Sequence, residues 1–458
     1  MRGYISIVFC ITTLVWSYAE AVSTNKTSFD VGYSNFVSSS EPYFGDQYNA
    51  TSLSTYGLGY QLHNQKTGER KKIDAQTFYS FGEDEVYINP SEVYWDFGSE
   101  DEELVLGRKK YKWSEADEIW NTGLWQPQFR WNRLRPENQG LVGGFYKSKI
   151  KKSLSLTAFV SPIFIPDTGV TFREKNGKIE SQNPWFRPPP ETTNLFDTET
   201  EVFATIEVPD ASEVVVNPGL GFRLDGEIND QQSWGAAYAH KPVNQIMNAF
   251  NYQLRTTDVG GGVDLTFYPW VAYHNLYTGD WKYQDRKYSH LVSATYEDPT
   301  RLFEDPNLNY QRLEESFIVS WITRWNMSGE GETATQLYGG YMRYWGGSAT
   351  DGGDPVSEGT QFELRPRFVS VGKLGIRYPV WMKSGKLYGS LEGNYDVLMK
   401  GGTVLTKAEF VFNSGWAIAA NMDLIGVIED QGEGFYKNSF VNTYRANDVV
   451  QLGMSYVF

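Results

Sequence analysis

Four histidines, His63, His240, His274 and His290, are the side chains best suited to general acid–base work in this 458-residue chain. A hydrolytic site would need one of them beside a nucleophile or water and oriented by a third group. His63 lies in "LHNQKTGER", which reads as a turn, and none of the four falls in a recognisable catalytic motif. The one cysteine is Cys10, so no thiolate metal set exists beyond it, and scattered histidines give no transition-metal constellation. The acidic runs "GEDEVYINPSE" and "GSEDEELVLG" carry charge that suits divalent ions but lack the spacing of a calcium loop. They read as solvated turns. Catalysis is therefore not expected, and neither is a cofactor or a metal.

The chemistry that remains is electrostatic. Segment 111–138, "YKWSEADEIWNTGLWQPQFRWNRLRPEN", holds Glu115, Asp117 and Glu118 among Trp113, Trp120, Trp125 and Trp131. Ser114 in "SEADEIW" is placed to cap a helical turn. Four tryptophans are unfavourable on a free surface loop, so this segment is expected to fold against protein. In the carboxyl half, Arg343, Arg365, Arg367 and Arg377 alternate with Met342, Leu364, Phe368, Leu374 and Ile376. If the apolar set faces outward, the arginines face inward, opposite Glu115, Asp117 and Glu118. Separated charges of that kind set up a transverse field in a narrow passage. The alternative is salt bridging along the wall with Glu363, Glu392 and Glu409.

Those residues must be positioned by strands. Tyr, Phe and Trp make up 16% of the chain and glycine reaches 44, a composition suited to pleated surfaces and tight turns. Period-two alternation recurs throughout, as in "TYGLGYQLH", "ESFIVSWITRW", "KLYGSLEGNYDV" and "TVLTKAEFVF". These runs have about the 9–12 residues that a tilted strand needs to cross a bilayer. Aromatics gather at their ends ("VYW", "FYPW", "YWGG"), as interfacial girdles require. Stacked soluble sandwiches would alternate too, but with shorter strands and without charges at so many strand centres. The formal net charge of −15 argues against a nucleic-acid surface.

Nineteen runs qualify as strands, among them 261–274, 286–297, 360–369 and 373–381. The last two are separated only by "SVG", and an even number is required. The expected fold is all-β: a single transmembrane antiparallel β-barrel of about 18 strands, or 16 as the alternative, with long extracellular loops and one loop folded into the lumen. Long connections fall at 111–138, 164–213, 241–260 and 429–446. Residues 1–21, "MRGYISIVFCITTLVWSYAEA", read as a cleaved signal peptide, with 22–458 as the barrel.

A leader, alternating strands and a final strand "QLGMSYVF" ending on Phe458 together resemble the Gram-negative outer-membrane β-barrels of the porin-like superfamily. The resemblance implies location in the outer membrane, with its lipid and lipopolysaccharide as surroundings. It also implies that Tyr456 and Phe458 mark the strand read by the barrel-assembly machinery, which then closes on the first strand. A third long-side loop that folds inward is implied as well, and homo-oligomers are compatible with it. The function implied is passive diffusion of small hydrophilic solutes. Two alternatives stand beside it: a substrate-specific or plugged channel, for example for oligosaccharides, and a structural or adhesive surface barrel without transport.

Overall fold

The computed structural model describes residues 26–36, 52–61, 70–80, 83–99, 102–195, 197–257, 260–300, 308–311, 313–328, 334–347, 365–428 and 438–457. The leader, His63, Glu363, Leu364 and Phe458 lie outside the described residues. Among the described residues no helix is long and apolar enough to cross a membrane.

Among the described residues, eighteen strands hydrogen-bond into one antiparallel sheet that closes on itself. The closing pair joins the strand Lys26–Phe36 to the strand Val449–Val457, with Phe29 opposite Tyr456 and Gly32 opposite Gly453. Closure leaves no edge, so each wall strand has backbone partners on both sides. The longest links between strands gather at one end of the barrel. Two- to three-residue turns at 152–153, 230–231, 383–384 and 413–415 lie at the end where the first wall strand starts and the last one finishes. The long connections, 110–140 and 243–272 among them, all leave the other end.

Period two decides which side each residue takes. On Ser316–Ser328, Phe317, Trp321, Trp325 and Met327 are exposed, while Ser316, Ile318, Ser320 and Ile322 are buried. Buried serines inside and exposed tryptophans outside invert a soluble protein, and this is the pattern of a wall against lipid. Aromatic rings run around the outer face at the long-loop end: Phe222–Tyr238 at 5.6 Å, Tyr238–Tyr277 at 5.1 Å, Tyr277–Tyr296 at 6.1 Å and Phe317–Trp345 at 5.8 Å. A second row, with Tyr288 stacked on Trp325 and Trp416 beside Tyr456, marks the short-turn end. Val292, Val319, Leu374 and Leu391 lie between these rows on the outer face. The closing strand contributes Leu452 and Met454 to the same belt, and Tyr456 completes that face among the described residues.

Two strand expectations are corrected. The run 261–274 is not wall: Gly260–Trp270 belongs to a separate five-stranded sheet on the long-loop side, with Met247–Thr257, Thr198–Ile206, Thr192–Leu195 and Asn309–Tyr310. Its alternating Val263 and Leu265 are buried there with Val202, and Phe267 packs half-buried against them. The wall strand is Tyr273–Gln284, whose inward His274, Asp280 and Lys282 made it read as polar. The run 360–369 is not a strand where it is described, since residues 365–369 are irregular and the wall resumes at Ser370–Met382.

Gly107 breaks the alternation on Glu102–Lys109. Its φ of +126° lets both Val105 and Arg108 be buried, and a Cβ there would stand 2.3 Å from the Val93 carbonyl oxygen. Arg108 then donates from Nε to the Gly140 carbonyl at 3.0 Å, at the end of the 110–140 segment. Gly107→Ala should lower stability by about 1–3 kcal/mol, from strain and backbone overlap. A urea midpoint in lipid vesicles equal to that of the parent would contradict this account.

Candidate functional site

Residues 110–140 cross the interior of the barrel as a braced segment. Ser114, with extended backbone, caps the helix Glu115–Trp120 by accepting from the Asp117 amide at 3.3 Å. Asn121 ends the helix in the left-handed region at φ 51°. Trp113 stacks on Trp125 at 5.9 Å and meets Phe159 of the wall edge-on at 4.8 Å. Trp113 and Trp125 are each only 1% exposed, which excludes a free surface loop.

Polar bonds fix the segment around the wall. Trp125 Nε1 donates to Thr278 Oγ1 at 3.0 Å, and Arg223 donates to the Trp113 carbonyl and to Asp280. Lys373 donates to the Ile119 carbonyl at 3.0 Å, pairs with Glu392 at 3.0 Å, and lies over the Trp120 ring. Arg135 makes a two-pronged bond to Asp423, 2.7 Å on each side. The anchors therefore come from wall strands on several sides of the lumen.

Other segments pack beside it at the long-loop mouth. Trp185 stacks parallel to Phe440 at 6.4 Å and contacts Tyr444, whose ring lies between Arg133 and Arg187 at 4.6 and 4.4 Å. Thus part of 164–213 enters the mouth, while Thr192–Leu195 and Thr198–Ile206 join the outer sheet.

The expected charged residues part company here. Glu115 faces the wall cations Lys282, at 3.2 Å, and Arg324, at 3.5 Å. Glu118 is half-buried on the same helix, and burial pushes its carboxyl up to about 7. Lys112 and Lys110 oppose that shift, while Asp117 and Glu115 add to it. Asp117 does not line a passage. It is buried and ties the segment to itself, accepting from Thr122 Oγ1 and from the Leu124 and Trp125 amides, and burial raises its pKa.

Of the four arginines, Arg377 is the one on the inward face of the wall, opposite Gln336 and Ser390. Arg365 is not a free lumen charge: it is buried in a two-pronged pair with Glu297, at 2.8 and 2.6 Å, beside His274 and Ser316. Arg367 stacks on Phe368 and Phe440 and donates to the Leu134 carbonyl at 3.3 Å. Arg343 faces outward. Tyr341 and Trp345 share its face, and Met342 and Tyr344 take the interior.

The expected basic ladder is thus rebuilt from Lys282, Arg324, Lys373 and Arg377. Arg324 and Lys373 carried a usable signal, since each alternates with outward Trp325 and Leu374; Lys282 lay in the strand that composition concealed. Glu392 and Glu409 are salt-bridged along the wall, but to Lys373 and Lys407 and not to the expected arginines.

Cavities lie toward both ends of the molecule. One of about 1190 Å³ at the short-turn end is lined by Glu227, Gln232, Ser233, Lys282, Arg286 and Asn326. Another of about 560 Å³ on the long-loop side is lined by Glu83, Thr171, Phe172, Arg173, Glu180 and Pro188–Pro190. Lys282, at the edge of the first cavity, is also the partner of Glu115. Among the described residues there is no cluster of metal-ligating side chains.

No family model and no curated protein sequence matches the chain. Solved structures with a matching course include a BenF-like porin from Pseudomonas fluorescens Pf-5, at 8% identity and a TM-score of 0.48, covering 95% of this chain and 98% of that one. OccK8 (OprE) of Pseudomonas aeruginosa gives 9% identity and a TM-score of 0.45, with the same coverage. OpdQ of the same organism gives 11% and 0.45, again over 95% and 98%.

Arg135→Ala would leave Asp423, itself fully buried, without its cation, a change that costs about 3–5 kcal/mol when a buried pair is broken. Amide exchange across 128–138 should then rise by on the order of a hundredfold, with wall strands unaffected. Unchanged exchange in this segment would show that the Arg135 anchor does not hold it.

Proposed function

We propose that the chain is an outer-membrane barrel over 22–458, preceded by a leader over 1–21, that passes small hydrophilic solutes by diffusion. The observation that carries this reading is the layer just described. A braced segment crosses the interior with Glu115 against the wall cations Lys282 and Arg324, and Lys282 also lines an open cavity at the short-turn end, inside a wall whose outer face is apolar. A barrel needed only as a scaffold has no use for a charged constriction. Charge held across a narrow, low-dielectric gap orients dipolar solutes and rejects apolar ones.

A second reading, a channel selective for one class of solute, is favoured by one observation. Trp185, Phe440 and Tyr444 pack into the mouth together with the 110–140 segment, which leaves little cross-section for unselective flow. Planar-bilayer recording separates these readings from an adhesive barrel. A narrow but steady conductance supports a channel, and no conductance from inserted, heat-modifiable protein supports an adhesive role.

Charge reversal tests the constriction. Lys282→Glu with Arg324→Glu changes local charge by four and should move the reversal potential toward cation selectivity, most strongly at low salt where screening is weak. Arg343→Glu, on the outer face, should leave selectivity as it was. Equal effects from the two sets would show that the wall cations do not line the path.

Acidity gives a second test. Glu118, raised to about 7 by burial, is charged above that value and neutral below it. Lowering the pH from about 8 to 6 therefore removes up to one negative charge from the constriction, and anion permeability should rise relative to cation permeability. Glu118→Gln should be flat across that range and resemble the acid form. A pH response that persists in Glu118→Gln assigns it to another group.

A further inference from the structure

Arg343 has a position that solute passage does not explain. It lies on the outward face of Thr335–Gly346, with Tyr341 on one side and Trp345 on the other, both largely exposed. Trp345 stands in the aromatic row at the long-loop end, beside Phe317, so Arg343 sits one step inside that row, toward the middle of the apolar belt. Its guanidinium lies 5.5 Å over the Trp345 ring. Among the described strands, no other Arg, Lys, Asp or Glu on the outer face has apolar or aromatic outward neighbours on both sides. A guanidinium cannot shed its charge there, and the stem directs it up along Trp345 toward the headgroup level.

The surface next to it is shaped for a chain. Gly372 on the neighbouring strand lies between Tyr341 and Tyr395, and a Cβ at Gly372 would meet nothing within 4 Å. Tyr341 reaches across to the strand of Gly372, its hydroxyl 2.8 Å from Ser370 Oγ, and so borders the headgroup side of this notch. A cation at the top of an apolar notch between two tyrosines matches a lipid whose headgroup is a phosphate.

We propose that Arg343, with Trp345, Tyr341 and the notch at Gly372, binds a phosphorylated lipid of the leaflet on the long-loop side. The guanidinium takes the phosphate and the notch takes the start of an acyl chain. A second copy of the chain is a poorer occupant, because a two-fold contact through this belt would need an acidic partner for Arg343. The described outer face between the aromatic rows has none. This proposal rests on the reading of the wall as membrane-embedded.

The test uses purified full-length protein in detergent and native mass spectrometry, with a bis-phosphorylated glycolipid and its dephosphorylated form as probes. The parent should retain the phosphorylated lipid about tenfold better, and Arg343→Gln should remove the preference while Arg343→Lys keeps part of it. Gly372→Leu should weaken retention of both lipids and leave the phosphate preference. Inorganic phosphate at millimolar concentration should not displace the lipid; displacement would reassign the site to free anions and overturn the lipid. Equal preference in parent and Arg343→Gln overturns the proposal, as does an oligomer that dissociates on Arg343→Gln in lipid-free detergent. Heat-modifiable gel mobility is measured on every variant. Its absence in the parent would overturn the membrane reading itself, independently of lipid preference.

Discussion

The pairing of Lys26–Phe36 with Val449–Val457 is the constraint on which everything else depends. In a hydrocarbon medium an unpaired backbone amide has no water to turn to, and each costs on the order of several kcal/mol. A sheet with one open seam would carry two rows of such groups. Closure removes them and, with the same bonds, makes an inside and an outside. Leu452 and Met454 then need lipid, and Gln451 and Ser455 need the interior.

Once the wall is closed, its interior is too wide for its own side chains to fill. An eighteen-stranded barrel leaves space, and this chain fills the middle of it with its own connections. The aromatic residues of 110–140 supply the packing, and Arg135, Arg223 and Lys373 supply the direction. Each of those cations bonds a backbone carbonyl or a carboxylate on the other side of the contact, which makes the inserted segment part of the wall rather than a hanging loop. The wall cations beside Glu115 are partly used in the same way. In the channel proposed above, a constriction built so rigidly would change its charge more readily than its shape, with Glu118 as the group poised to do so.

The architecture was legible because period two survives in almost every wall strand, and the inward turn of 110–140 because four tryptophans cannot be left in water. What failed did so for local reasons. "YHNLYTGDWKYQ" hides a wall strand because its inward positions are charged, whereas "GGVDLTFYPW" looks like wall because an outer sheet buries the same alternation. At "GGYMRYWGG" both faces carry large side chains, so periodicity alone assigns no side to Arg343. The pairing of Trp345 with Phe317 does, and that is information from another strand. Arg365 and Arg367 were misplaced because the segment before Ser370 is irregular, and parity has no meaning off a strand.

The outer five-stranded sheet has one parallel pair, Glu201–Ile206 beside Gly262–Phe267, whereas every other pair of strands among the described residues is antiparallel. Its two strands come from different long connections, separated by the wall strands Gly219–Asn229 and Gln232–Pro242. The two connections are therefore one unit in three dimensions and two in the gene. Neither can be shortened, exchanged or grown alone without unpairing the other. Surface connections normally diverge freely; these two are bound to diverge together, and a foreign segment inserted into one of them would be felt in both.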